Sequence, residues 1–486
     1  MLFNSLKFLV FFIAVFGGYW SIRPIMQKLG KLSYVVSFQN LLLLLASYTF
    51  YAAWNVKFLG LILASSVLDY WVGKRMSNTR SDWKRKALLG LSLAFNLGML
   101  GLFKYFDFFS ESFADLLHSL GMSINPVVLG LALPVGISFY TFQTLSYSID
   151  VYRNKIPAEK KLLTFLVYVA YFPQLVAGPI ERANRFLPQL KSARSFSYAM
   201  AVDGCRQILW GFFKKVVVAD TCALFANEVF TPGYDGGGIQ VALGILFFTL
   251  QIYGDFSGYS DIAIGISKLM GIQLMQNFAT PYFSRNIGEF WRRWHISLST
   301  WFRDYLYIPL GGSRTKPLKN ILIIFLVSGF WHGANWTFIL WGAYHALLFV
   351  PLFLMGKNRS HLDSLGSSGT AAFWIKELPA VLTTFTLVAI GWVFFRAESI
   401  NHAYQVFLGL TSTAYVDFPM WSSFDWAWVG LYASIMVFIE FWGRKHEHPL
   451  QGLNIPIFFR WALYLLLTLL VIHHFGDEAQ FIYFQF

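Results

Sequence analysis

The run ILIIFLVSGFWHGANWTFILWGAYHALLFV, from Ile321 to Val350, contains no acid, lysine or arginine, and the only side chains in it that titrate near neutral pH are His332 and His345. Roughly 20 apolar residues suffice to cross a bilayer. The run therefore reads as membrane-embedded helix, broken where Gly329, Gly333 and Asn335 crowd around His332. Uncharged runs recur on both sides of it: Phe8 to Ile22, Leu32 to Val56, Ala87 to Phe103, Leu116 to Ile149, Leu162 to Ile180, Leu378 to Phe395, Trp426 to Ile439 and Trp461 to Gly476. Only 13% of the 486 residues are charged and 56% are hydrophobic, whereas a soluble domain carries about 25% charged residues. With so little polar surface the solvent must be lipid, and the predicted fold is all-α and polytopic, with about 11 to 13 transmembrane helices. The Phe8 run is aromatic and ends at Arg23 without a small-residue cleavage site, so it reads as the first helix and not as a signal peptide. No internal repeat or long linker divides the chain, and residues 1–486 read as one polytopic domain with its motif-bearing core at about 130–350.

Lysine and arginine outnumber the acids by 38 to 25. The excess borders the apolar runs, as in Lys74 to Lys86 and Arg153 to Lys161. Basic loops of this kind stay in the cytoplasm. Counting back from Lys74 also puts the Arg23 to Lys31 loop inside and the N-terminus outside. The charge forms no soluble patch, so nucleic acid is not an expected partner, whereas membrane lipid phosphates and a nucleotide-containing cofactor are compatible with it. Cys205 and Cys222 are the only cysteines, which supports neither a disulfide framework nor a thiolate metal site.

Two portions depart from regular membrane helix. Between Tyr171 and Pro188, Pro173, Gly178 and Pro179 interrupt the apolar pattern. Unwound backbone at membrane depth persists only when buried in protein or lining water, so a re-entrant segment is expected there. The second, PYFSRNIGEFWRRWHISLSTWFRDYLYIPLGGSR, runs from Pro281 to Arg314. Phe290, Trp294, Leu298, Trp301 and Tyr305 recur at helical spacing, while Glu289, Arg292, Arg293, Arg303 and Asp304 gather elsewhere, which predicts one amphipathic helix at the membrane interface.

Ionisable residues inside membrane segments are costly and mark functional sites by default. His332 is the sharpest case, with a neutral histidine hydrogen-bonded in the bundle as the alternative. A histidine near its reference pKa of about 6.5 can take a proton from a hydroxyl and return it to a leaving group. No G-x-S-x-G elbow and no cysteine near His332 suggest a serine or cysteine nucleophile. His295 and His332 supply at most two metal ligands, without HExxH or cysteine-rich spacing to complete a set, so no metal is expected. Asp255 and Asp261, in YGDFSGYSDIAIG from Tyr253 to Gly265, are too far apart on a helix to act as a carboxylate pair. They are expected to cap a helix, orient a histidine or pair with the arginines of the 285–303 region.

The motifs DFSGYSDIAIG, FWRRWHISLSTWFRDYLYIPLGG and FWHGANWTFILWG, in this order, resemble the membrane-bound O-acyltransferase family, in the branch of bacterial alginate and other polysaccharide O-acetyltransferases. The resemblance runs from the N-terminal helix to the last residue. It implies a helical ring around a funnel in the bacterial cytoplasmic membrane, with His332 as the catalytic histidine and His295 as the second motif histidine. It also implies acetyl-coenzyme A as the cytoplasmic donor, an extracytoplasmic polysaccharide as acceptor, and separate periplasmic acetyltransferase-like proteins as partners. Arg292, Arg293, Asn335 and Trp331 are then the candidates for holding the donor or positioning the reacting groups. The ending FIYFQF, Phe481 to Phe486, resembles a terminal motif in which a tyrosine carries the acyl group, here Tyr483. A phenol, with a pKa of about 10, leaves more readily than a sugar alkoxide. An aromatic anchor at the interface is the other reading of this ending. Peptidoglycan, D-alanylated teichoic acid, lipid and protein remain alternative acceptor systems, and a transporter or channel is the alternative from another class.

Overall fold

The computed structural model describes residues 1–176, 178–362, 373–413, 425–476 and 482. Every regular element among the described residues is a helix, as lipid requires of a chain that must satisfy its backbone internally. Among the described residues, eight helices are long and apolar enough to cross a membrane, and two shorter apolar helices, Pro317–His332 and Ile457–His473, accompany them. The protein is a multi-pass membrane protein. Uncharged length is not all helix. Residues 122–134 of the Leu116 run carry no helix, and the Leu162 run is divided between Leu162–Ala170 and Phe172–Leu175.

The chain divides into two compact units, Met1–Val202 with Ile266–Met275, and Asp203–Gly265 with Gln276–Phe486. In the first unit several buried polar side chains are gathered into hydrogen-bonded sets. Asp69 accepts from Ser92, from Asn96 Nδ2 at 2.8 Å and from Ser148 Oγ at 3.0 Å. Arg194 donates through Nε to Tyr19 Oη at 2.7 Å and to Asn40 Oδ1 at 2.8 Å. The chain breaks at Tyr171, makes one short helix, Phe172–Leu175, and is buried there: Phe172 N–H donates to Ser47 Oγ at 3.0 Å, and buried Glu181 accepts the Met275 N–H.

In the second unit the helices Pro317–His332 and Trp336–Leu354 form a tight hairpin, which we call the histidine helix and its partner. A Cβ on Gly329 would lie 2.2 Å from the Phe338 carbonyl oxygen, and one on Gly342 2.3 Å from that of Phe325. Only glycine lets the two backbones approach this closely, as at small-residue contacts between membrane helices generally. The glycines beside His332 therefore serve backbone approach. The Gly238–Leu269 helix carries the DFSGYSD motif, and its acids face lysines of the wide π-helical segment Phe213–Ala219. Lys214 Nζ lies 2.7 Å from Asp261 and 4.0 Å from Glu440, and Lys215 Nζ lies 2.8 Å from Asp255 and 2.7 Å from Asp220. The wide turn lets adjacent lysines reach different acids. Among the described residues, Asp255 and Asp261 are thus lysine partners, which replaces the expected pairing with the 285–303 arginines.

Candidate functional site

The predicted amphipathic helix over 281–314 is broken at its centre. Helix Ile287–Arg293 stops at Trp294, His295 takes a left-handed conformation (φ 44°), and a second helix follows over Ile296–Phe302. A left-handed histidine is unfavourable and persists only when its surroundings fix it. Asn277 does so. Its carbonyl oxygen accepts the Ile296 N–H at 2.9 Å, and its Oδ1 accepts the Ser297 hydroxyl at 2.9 Å and lies 3.1 Å from His295 Nδ1. Because Oδ1 is an acceptor, a neutral His295 carries its proton on Nδ1 and leaves Nε2 as the accepting nitrogen. Asn277 Nδ2 in turn donates to Ser260 Oγ at 3.1 Å, so the DFSGYSD helix holds the kink. The aromatic face of this region is core and not interface: Phe290, Trp294, Leu298 and Trp301 are all buried.

His332 ends its helix and is buried among aromatic rings, with ring centroids 4.9 Å from Trp331, 5.1 Å from Trp341 and 5.3 Å from Phe395. The Trp331 ring also lies 6.1 Å from the His295 ring, so one indole separates the two histidines.

Both histidines line a single largely apolar cavity of about 680 Å³. Ile321, Ile324, Phe325, Ser328 and His332 line it from one face of the histidine helix. Eleven residue steps at about 1.5 Å each make this wall roughly 16 Å long. His332 stands at one end. Arg303, Asn358 and Arg359 line the cavity as well, and the last two follow the partner helix at the level where the histidine helix begins. Arginines at one end, apolar walls between and a histidine at the other suit a long ligand with an anionic head.

The remaining sequence candidates are distributed differently. Arg292 lines the cavity, and its guanidinium donates to the carbonyls of Asn358 and Ser360, both at 2.7 Å, which fixes the chain after the partner helix. Arg293 pairs with buried Glu289 at 2.8 Å, and Arg285 pairs with the same carboxylate at 3.0 Å. Asn335 caps the partner helix through the Thr337 N–H at 3.0 Å and donates to the Glu398 carbonyl at 2.9 Å. Trp331 stacks between the histidines. Neither Arg293 nor Asn335 nor Trp331 is among the cavity-lining residues. Tyr483 lies outside the described residues. Ile482 beside it is buried and donates its N–H to Asp255 Oδ2 at 2.6 Å. His345 fills an aromatic cage, 4.9 Å from Trp291 and 5.0 Å from Trp341. Asn277, Ser328 and Phe395 carry no sequence signal of a role, since each acts only through a neighbour distant in the chain.

Comparison with known proteins places the chain in a family. The sequence profile of the membrane-bound O-acyltransferase family matches residues 41–382. The chain is 42% identical over 418 residues to "Probable alginate O-acetylase AlgI" of Pseudomonas aeruginosa, covering 85% of this chain and 75% of that one. It is 40% identical over 418 residues to the protein of the same name from Azotobacter vinelandii, covering 85% and 78%. It is 36% identical over 440 residues to a peptidoglycan O-acetyltransferase of Helicobacter pylori, covering 84% and 80%. The profile spans both histidines and both walls of the cavity, and on that ground the chain belongs to the membrane-bound O-acyltransferase family and is an acyltransferase.

Proposed function

We propose that the protein O-acetylates an extracytoplasmic polysaccharide, taking the acetyl group from cytoplasmic acetyl-coenzyme A in the cavity that ends at His332. The observation that carries this reading is the shared cavity, which joins His295 and His332 to an arginine-bearing mouth along one helix face. Sidedness follows from charge. Arg314 and Lys316 precede the histidine helix, Lys319 lies in its first turn, and Lys357 and Arg359 follow its partner, while the turn at 333–335 is uncharged. The positive-inside rule assigns the basic end to the cytoplasm. The donor thus enters from the cytoplasmic side of the bacterial membrane, with its phosphates near the arginines and its thioester toward His332. Relatives named for acetylation of alginate and of peptidoglycan support acetyl as the cargo and a glycan as its destination. Partner proteins beyond the membrane complete delivery to the chain being modified.

In the chemical step His332 takes the proton of an attacking hydroxyl as its oxygen adds to the thioester carbonyl. Collapse breaks the carbon–sulfur bond, and the coenzyme A thiolate takes the proton back from the imidazolium. His295, oriented by Asn277, positions the reacting groups in a water-poor pocket, and the Trp331 indole packs between the two histidines from behind. The attacking hydroxyl is that of Tyr483 or of the acceptor itself.

The test is His332→Ala in cells that export the polysaccharide, with membrane levels of the protein checked in parallel. Loss of a general base lowers the rate about 10²–10⁴-fold, and normal acetylation with normal expression would refute the assignment. Tyr483→Phe separates the two attacking hydroxyls: full activity excludes a covalent acyl-tyrosine.

A further inference from the structure

A second cavity, of about 350 Å³, lies between the Gly-rich loop that precedes the Gly238–Leu269 helix and the short helix Ile400–Gly409. It is at the small end of the range for ligand pockets, about 300–1,000 Å³. Val241 and Val406, both buried, form its floor, and Tyr234, Asp235, Gln405 and His402 stand around it.

The loop is built to hold this shape. Gln240 Oε1 accepts the Gly237 N–H at 2.9 Å and lies 3.3 Å from Tyr234 Oη, and the Gly238 N–H donates to the Ser412 carbonyl at 3.2 Å. A Cβ on Gly236 would lie 2.3 Å from Tyr234 Oη, so only glycine lets the Tyr234 ring fold over the loop. His402 is 8% exposed. Its Nδ1 accepts the Glu398 N–H at 3.3 Å, which puts the proton of the neutral ring on Nε2. That Nε2 is buried and has no hydrogen-bond partner among the described residues.

The cavity belongs to the same end of the second unit as His332. Residues 396–401 connect Phe395, whose ring touches that of His332, to His402, and Asn335 on the turn after His332 holds the Glu398 carbonyl. By the charge argument above this end is extracytoplasmic.

We propose that this cavity is a saccharide subsite that holds the hydroxyl face of a sugar ring of the acceptor near the exit of the His332 site. The proposal rests on the acetyl-transfer reading for its purpose but not for its geometry. Asp235 and the Gln405 carbonyl accept sugar hydroxyls, the Gln405 amide donates to them, and the apolar C–H face of the ring packs on Tyr234 and the valine floor. The lining contains one carboxylate and no lysine or arginine, a set that fits hydroxyls and disfavours a phosphate group.

The experiment is saturation-transfer NMR on the detergent-solubilised full chain, with a neutral N-acetylglucosamine oligosaccharide as the probe expected to bind and oligomannuronate, whose carboxylates Asp235 disfavours, as the weaker comparison. Binding is read without acyl transfer, so failure here is distinct from failure of the catalytic reading. Asp235 and Gln405 are exposed, so Asp235→Asn with Gln405→Ala leaves the fold intact, and this variant is expected to weaken binding of the preferred saccharide about tenfold or more through two lost hydrogen bonds. Absence of binding by either saccharide overturns the proposal. So does wild-type affinity in the double variant, or occupation of the cavity by an exported protein to the exclusion of both saccharides.

Discussion

Asn277 shows how a residue with no catalytic group of its own decides a site. Its backbone and side-chain oxygens hold Ile296, Ser297 and His295 in the kink, so Asn277→Ala leaves buried donors unsatisfied at about 1–3 kcal/mol each. Acetyl transfer by this variant is expected to fall at least tenfold, with His295 free to rotate. Measured kcat equal to that of the unsubstituted enzyme would reduce Asn277 to a packing residue. Arg359 provides the contrasting case. It is an exposed cavity residue beyond the partner helix, and Arg359→Gln is expected to raise the KM for acetyl-coenzyme A several-fold with kcat kept, the signature of lost uniform binding. High salt, which screens an exposed charge, should narrow the difference between the two proteins.

Packing of the hairpin and of the lysine-bearing turn sets the next level of organisation. A methyl at Gly329 meets the Phe338 carbonyl oxygen at 2.2 Å and cannot be absorbed by a rotamer change, because the obstacle is backbone. Gly329→Ala is therefore expected to destabilise the protein by about 1–3 kcal/mol or more and to displace His332, read as a lower thermal transition and lost activity together. The Lys214 cluster behaves differently. Lys214 is buried with Asp261 and Glu440, and removing one partner of a buried ion pair destabilises by about 3–5 kcal/mol. Lys214→Met should thus unfold at lower temperature, and adding Asp261→Asn should restore part of the loss. A double variant no better than the single one would show that the pair contributes little.

Charge distribution gives the whole second unit a direction. Its bases cluster where the histidine helix begins, and the loop at 231–237 and the helix Ile400–Gly409 lie at the opposite end. In a chain lacking Cys205 and Cys222, a cysteine at position 235 is expected to react with an impermeant maleimide from outside the cell, and one at position 359 only after the membrane is opened. The reverse labelling pattern would invert the path of the acetyl group.

The sequence alone determined the solvent, the all-helical class and the two histidines to look at, His295 and His332. These follow from composition, uncharged run length and local motifs, each of which is a property of neighbouring residues. The span number was less legible because an uncharged run can be satisfied by buried turns as well as by helix, as at 122–134 and after Tyr171. Tertiary structure alone decided the break at His295, since Asn277 outbids helix continuation through hydrogen bonds across 18 positions. It likewise decided that Asp255 and Asp261 pair with lysines, that Arg293 and Asn335 support structure, and that one cavity face unites residues 321 to 332 with His295. Partners of buried charges are chosen by which helices pack, and packing is not written in the spacing of either partner.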